Sequence, residues 1–176
     1  MISGVVLKRL TQDHEFKPFD CGNQDLNDFL LKDSKLYLKN LLAVTYISET
    51  EDETIAYFSV SNDKISVTDT PKSVWRRLKR LFSHALHRRD YPAVKLGRFA
   101  VTLKYQFSSI GTDIMEFIKN MFVTKNRTGC AFITVDALID AIPFYIKNDF
   151  IPLEDDISDT DKTTVQLYFN LNRCLS

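Results

Sequence analysis

Apolar positions along the chain change period several times, and each change marks an element. Val5 to Leu10 is a short β-prone run and predicts a first strand. From Asp25 to Leu41, the residues Leu26, Phe29, Leu30, Leu36 and Leu41 fall at broadly helical spacing, with Gly22-Asn23 as the turn into a helix. Ala43–Ser48 and Thr54–Val60 are β-rich runs around the acidic stretch Glu49 to Glu53, which predicts a hairpin with a solvated tip. Val94–Val101 is largely apolar and reads as a central strand. Ile110–Phe122 returns to helical spacing through Ile114, Phe117, Ile118 and Met121. Ala131–Val135 reads as a strand and Ile139–Lys147 as a helix. Thr164–Leu171 is a last strand alternating Val165, Leu167 and Phe169. With no internal repeat or linker, the order predicts one mixed α/β domain over residues 1–176, a single sheet flanked by helices.

Between Ile65 and Asp90 the pattern is least regular. Pro71 sits where a helix can begin, and Val74, Leu78, Leu81 or Phe82, and Ala85 share one face. The other face carries Lys72, Arg76, Arg77, Lys79, Arg80, Arg88 and Arg89, with His84 and His87 among them. This predicts a basic helical insertion around residues 71–89. Two readings stay open: a solvated helix face, or a contact for phosphates on a cofactor or on RNA through Arg76, Arg77, Arg80, Arg88 and Arg89.

Composition narrows the function classes. With 176 residues, 44% apolar, 26% charged and only 5 Gly and 5 Pro, the chain is neither collagen-like, low-complexity nor strongly disordered. Lys plus Arg and Asp plus Glu both total 23, so no bulk charge draws the chain to nucleic acid or to an anionic membrane. Cys21, Cys130 and Cys174 are odd in number and spaced like neither a zinc knuckle nor a redox pair, so no metal is expected. Separated thiols fit a reducing compartment. No stretch approaches 18 uncharged apolar residues, and the N-terminal run has no apolar signal core. The chain therefore reads as cytoplasmic and without a membrane partner.

Chemistry concentrates after the central strand. Tyr91 to Val101 leads through a four-residue spacer into Gln106-Phe107-Ser108-Ser109-Ile110-Gly111 and then a helix. A strand running into a short small-residue loop at a helix start offers unpaired backbone amides and the positive helix end to one anion. An ordinary helix N-terminus has the same look, so the loop alone does not decide.

Here the sequence resembles the GNAT acetyl-CoA-dependent N-acetyltransferases. Their signature is Gln or Arg, two residues, Gly, one residue, then Gly or Ala, and Gln106, Ser109 and Gly111 fall on its marked positions. Ser109 replaces the first marked glycine, and Phe107 stands where many members have another. Phe19 to Leu30 resembles the opening of the family's toxin-type branch. Thr45 to Ile47 with Ile55 to Val60 matches its central hairpin, and Leu96 to Val101 its cofactor strand. Val135 to Ala137, Ala141, Phe144-Tyr145 and Asp149-Phe150 match its late strand, helix and turn, with Asp149 where glycine is usual.

The resemblance implies a GNAT fold with acetyl-CoA as cofactor. The backbone of Phe99, Ala100 and Val101 would pair with the pantetheine arm, and Gln106, Phe107, Ser108, Ser109, Ile110, Gly111 and Thr112 would hold the pyrophosphate. Tyr145 would protonate the departing thiolate, the alternative being a core aromatic. A lysine amine costs about 4–5 kcal/mol to deprotonate at pH 7 and an α-amine about 1. Ala93 to Val101 holds no Asp or Glu that could act as a fixed base. A low-pKa acceptor amine follows, and the toxin-type branch implies the α-amine of an aminoacyl-tRNA; a peptide N-terminus or a small metabolite fits the same chemistry. The resemblance also allows for tRNA, an antitoxin protein and a homodimer as partners, without identifying any of them. The competing class is a non-catalytic acyl-CoA-binding or RNA-binding module with the same fold.

Overall fold

A computed structural model describes residues 5–124, 126, 128–158 and 161–175, and the structural statements below concern these. Seven strands form one sheet: β1 (Val6–Arg9), β2 (Val44–Glu49), β3 (Thr54–Ser66), β4 (Asp90–Val101), β5 (Phe132–Leu138), β6 (Ile151–Pro152) and β7 (Thr164–Asn170). Their order is β1-β2-β3-β4-β5-β7-β6. The helices are α1 (Gln24–Asp28), α2 (Ser34–Lys39), α3 (Lys72–Lys79), α4 (Ile110–Thr124) and α5 (Ile142–Lys147). The β4–β5 ladder is parallel, while β1–β2, β2–β3, β5–β7 and β6–β7 are antiparallel, so the sheet is mixed as expected.

Backbone contacts divide the chain into two compact units. The first comprises the residues up to Ser61 and Leu96–Phe117; the second comprises Asn62–Lys95 and the residues from Ile118 onward.

In the first unit, α1 starts where Asn23 caps it, its Oδ1 accepting from Leu26 N–H at 3.1 Å. A π-helical turn, Phe29–Asp33, joins α1 to α2, and the Ser34 hydroxyl donates to the Leu30 carbonyl inside it. The helical run ends at Asn40, with Leu41 left-handed (φ 58°) and Leu42 N–H bonded back to Tyr37 O at 2.9 Å. This helical face packs a core of Leu10, Phe19, Phe29, Leu30, Ile47 and Tyr57. Residues 54–60 of β3 are all buried, so this stretch is covered on both faces.

The hairpin is solvated at its tip, Glu51 and Asp52, as expected, but the acidic residues flanking the tip are not. Glu49 is the last residue of β2 and is only 3% exposed. His14 Nε2 is 3.0 Å from its Oε1, and the Lys8 ammonium lies 2.7 Å from Oε2 as a charge contact rather than an aligned hydrogen bond. Glu53 is held by Lys104 Nζ at 2.6 Å. Local cations thus draw two of the acidic residues out of solvent.

In the second unit, Val74, Trp75 and Leu78 of α3 insert into a core with Tyr91, Phe132, Leu153 and Tyr168. Phe82 stacks on Tyr91 at 4.4 Å between ring centroids. The basic insertion is helical only over α3, with a 3₁₀ turn at His84–Leu86, rather than through residue 89. After Arg80 the chain tightens, Leu81 N–H bonding to Leu78 O and Phe82 N–H to Lys79 O. Of Leu81 or Phe82, expected on the apolar face, Phe82 packs against this core and Leu81 is exposed; Ala85 is exposed as well, and Trp75 joins the buried face. No described helix is long and apolar enough to cross a membrane.

Candidate functional site

The segment after β4 is anchored by a turn near the N-terminus. Asp20 Oδ1 accepts from Gly22 N–H and from Asn27 Nδ2, both at 2.8 Å, and Cys21 N–H donates to Asn27 Oδ1 at 2.9 Å. These bonds hold the Asp20 carboxyl below the usual carboxylate range, the Gly22 amide first. Gly22 sits at φ +79°, a backbone that favours glycine, and a Cβ there would lie 3.0 Å from Leu103 Cδ2. The turn's carbonyls then receive the end of the strand. Asp20 O accepts from Leu103 N–H and from Thr102 Oγ1, both at 2.9 Å. Gln106 Nε2 donates to Cys21 O at 2.8 Å and to Val101 O at 2.9 Å.

Gln106, expected among the cofactor-binding groups, therefore has its side-chain donor committed within the protein. It ties the exit of β4 to the turn at residues 20–22. Lys104 and Tyr105 are tied in the same way to Glu53, at 2.6 and 3.4 Å.

Beyond Gln106 the loop opens outward. Phe107, Ser108 and Ser109 are exposed, and Phe107 is left-handed with φ 59°. Ser108 Oγ donates to Tyr105 O at 2.5 Å and lies 3.4 Å from Ile110 N, rigidifying the approach to α4. The first intrahelical bond runs from Asp113 N–H to Ser109 O at 2.9 Å, so the amides of Ile110, Gly111 and Thr112 precede it. A 15-residue helix adds its positive end. This backbone fits an anion of pyrophosphate type. Asp113 in the first turn opposes it in part, its Oδ2 3.3 Å from Ser109 Oγ.

On β4, Phe99, Ala100 and Val101 lead into this loop, with Ala100 buried in the first unit's core. The β4–β5 ladder covers Ala93–Lys95 against Phe132–Thr134, and β4 continues beyond it to Val101. Arg98 places its guanidinium 5.0 Å from the Phe29 ring centroid.

Tyr145 belongs to the second unit and lies in the last turn of α5. The helix closes on it: Phe150 N–H bonds to Tyr145 O and Asp149 N–H to Ile146 O, both at 3.0 Å. Asp149 supplies the left-handed residue (φ 65°) that this closure needs, which explains why glycine is usual there. The Phe150 ring packs edge-on against Tyr145 at 5.3 Å. Tyr145 is 6% exposed, and burial pushes its phenol above the ordinary range.

Arg76, Arg77, Arg80, Arg88 and Arg89 also belong to the second unit and are all exposed. Arg77 additionally donates to Pro152 O at 3.4 Å. Cys21 is buried, its thiol pushed up by that burial and donating to Asn23 O at 3.6 Å, so it is not an activated nucleophile. Among the described residues no group of three or more His, Cys, Asp or Glu could hold a metal ion.

Sequence patterning missed the buried Glu49 cluster and the internal commitment of Gln106. Both depend on partners more than 30 residues away, which no local pattern reveals.

No family model matches the chain. Among solved structures it is similar to AtaT complexed with acetyl-methionyl-tRNAfMet, at TM-score 0.73 and 20% identity over 97% of both chains. It is similar to a tyrosine-to-phenylalanine mutant of KacT, at TM-score 0.76 and 18% identity, again over 97% of both chains. A comparable AtaT mutant toxin, bound to the C-terminus of the antitoxin AtaR and to acetyl-CoA, matches at TM-score 0.67 and 21% identity over 97% of this chain and 96% of that one. The mixed sheet, its flanking helices and the strand–loop–helix at residues 96–124 are thus the GNAT fold of the AtaT and KacT toxins.

Proposed function

We propose that this protein is an N-acetyltransferase that moves an acetyl group from acetyl-CoA to a primary amine, with the α-amine of an aminoacyl-tRNA as the leading acceptor. The observation that carries the reading is the open loop Phe107–Gly111, set between a braced strand and the amides opening α4. Similar toxins bound to acetyl-CoA and to acetyl-methionyl-tRNAfMet support it. The whole chain acts as one such domain, and an antitoxin protein is a partner by the same likeness.

Bound acetyl-CoA supplies the acetyl group as a thioester. Phe99, Ala100 and Val101 present strand backbone to the pantetheine arm, and Phe107 to Thr112 present amides to the pyrophosphate. The acceptor nitrogen must arrive as a neutral amine, since β4 from Ala93 to Val101 carries no carboxylate to take its proton. An α-amine meets that requirement at about 1 kcal/mol and a lysine at about 4–5. The C–N bond forms as the C–S bond breaks, and the proton lost by nitrogen leaves through water. Burial keeps the Tyr145 phenol protonated until the C–S bond breaks; it then delivers its proton to the departing thiolate and regains one from water before the next turnover. Arg76, Arg77, Arg80, Arg88 and Arg89 contact the RNA backbone of the acceptor.

Calorimetric titration with acetyl-CoA tests the reading. One-to-one binding is expected, abolished by Gly111→Trp, which fills the approach to the loop amides. Release of CoA on adding an aminoacyl-tRNA then completes it. Absence of binding by the wild type refutes the enzyme, and binding with no amine-dependent turnover points to the non-catalytic module.

A further inference from the structure

Three non-glycine residues of the described chain adopt left-handed backbone: Leu41, Phe107 and Asp149. Two have an evident reason. Leu41 and Asp149 each follow an α-helix and carry the bonds that close it, Leu42 N–H to Tyr37 O and Phe150 N–H to Tyr145 O.

Phe107 follows the 3₁₀ turn Leu103–Tyr105 rather than an α-helix, and the residue is fully exposed (107%). A large apolar ring thus stands in solvent on a backbone conformation that glycine adopts freely and other residues disfavour. The surrounding structure holds it there: Gln106 is pinned by Cys21 O and Val101 O, and Ser108 by Tyr105 O. The fold itself would be served as well by glycine, so the ring's use lies outside the chain.

The position of the residue identifies its ligand. Phe107 is part of the loop whose amides receive the pyrophosphate in the proposed function, on which this inference rests. In acetyl-CoA the adenosine is attached directly to that pyrophosphate. An aromatic ring one side-chain length from the loop backbone is in reach of the purine, and aromatic rings stack on bases without needing hydrogen-bond geometry.

We propose that Phe107 is a cofactor-binding residue that stacks on the adenine of acetyl-CoA, so that this chain distinguishes the full cofactor from its adenosine-free half. Stacking of ordinary strength contributes about tenfold in affinity. Phe107 contributes to KM for acetyl-CoA and leaves the chemical step to Tyr145.

The test is calorimetric titration of the full chain with acetyl-CoA and, in parallel, with S-acetyl-4′-phosphopantetheine, which lacks the 3′-phosphoadenosine and one phosphate of the pyrophosphate, each variant being compared with wild type on the same ligand. Phe107→Ala and Phe107→Gly are expected to weaken acetyl-CoA about tenfold while leaving the truncated ligand within about twofold, and Phe107→Tyr to retain wild-type affinity for both. Phe107→Gly also suits the left-handed backbone, so it folds where Ala is strained. Equal acetyl-CoA affinity in wild type and Phe107→Gly overturns the stacking role. Equal weakening of both ligands overturns it as well and assigns the effect to loop shape. If wild type binds the truncated ligand but not acetyl-CoA, Phe107 is an obstacle rather than a platform. If wild type binds neither, the acetyltransferase reading fails first and this inference with it.

Discussion

Gln106→Met is the sharpest probe of how the site is built. Methionine keeps the length of the side chain and deletes the amide that donates to Cys21 O and Val101 O at 2.8 and 2.9 Å. A net hydrogen bond contributes about 1 kcal/mol, and leaving a buried acceptor unsatisfied costs about 1–3. Gln106 is only partly buried, so water reaches some of the exposed carbonyl capacity, and the expected loss is about 2–3 kcal/mol. For a chain of this size that corresponds to a fall of about 4–12 °C in Tm. Circular-dichroism melts of wild type and variant at neutral pH measure it. Gln106→Glu adds a signature that lost packing cannot mimic. Its carboxylate would face two carbonyl oxygens, raising its folded-state pKa above the unfolded value of about 4.3. The destabilisation is then full above the folded pKa and relieved as pH falls through it, where the neutral acid can again donate one bond. A Tm for Gln106→Met within about 1 °C of wild type, together with a pH-independent deficit in Gln106→Glu, would refute the bracing role.

Three further outcomes follow from the same geometry. Tyr145→Phe should lower kcat by about 10²-fold or more while leaving the Kd for acetyl-CoA unchanged, as single-turnover kinetics and calorimetry together would show. Asp149→Gly should stabilise the chain by about 1 kcal/mol in chemical denaturation, because glycine adopts the left-handed backbone at the end of α5 without penalty. Asp20 has a depressed folded-state pKa, so its contribution to stability is complete above about pH 4 and lost as pH falls through the lowered value. The stability gap between wild type and Asp20→Asn should therefore close on acidification, as melts across that range will record.

What the sequence makes legible here is what depends on near neighbours. The alternation in Val165, Leu167 and Phe169 predicts β7, and the helical spacing from Ile110 to Met121 predicts α4, because one buried face imposes each period. The junction at residues 106–111 is visible from its small residues and its place between strand and helix. Tyr145 is singled out by its company with Asp149-Phe150, and the structure shows the local bonds that join them. Long-range pairing is what escapes. Nothing near Glu49 announces that Lys8 and His14 will draw it inward. Nor does any pattern show that α3 buries Trp75 and stops at Arg80, since the core it meets is assembled from Tyr91, Phe132 and Tyr168. Phe107 looks like a simple departure from a glycine-rich signature until its exposure and its backbone are seen together.

The bracket between Asp20–Cys21 and Thr102–Gln106 also bears on the order in which the protein forms. Its side-chain bonds close intervals of 82 and 85 residues. Loops of that length close late, after the local helices and the β2–β3 hairpin, because their entropy must be lost before the contacts reward it. On the ribosome, residues 20–22 emerge long before their partners, and the loop at residues 107–111 has no brace until Gln106 has left the tunnel. The loop at residues 107–111 thus reaches its braced form only after the local helices have formed, and a folding phase followed at this loop should lag behind the appearance of helical signal.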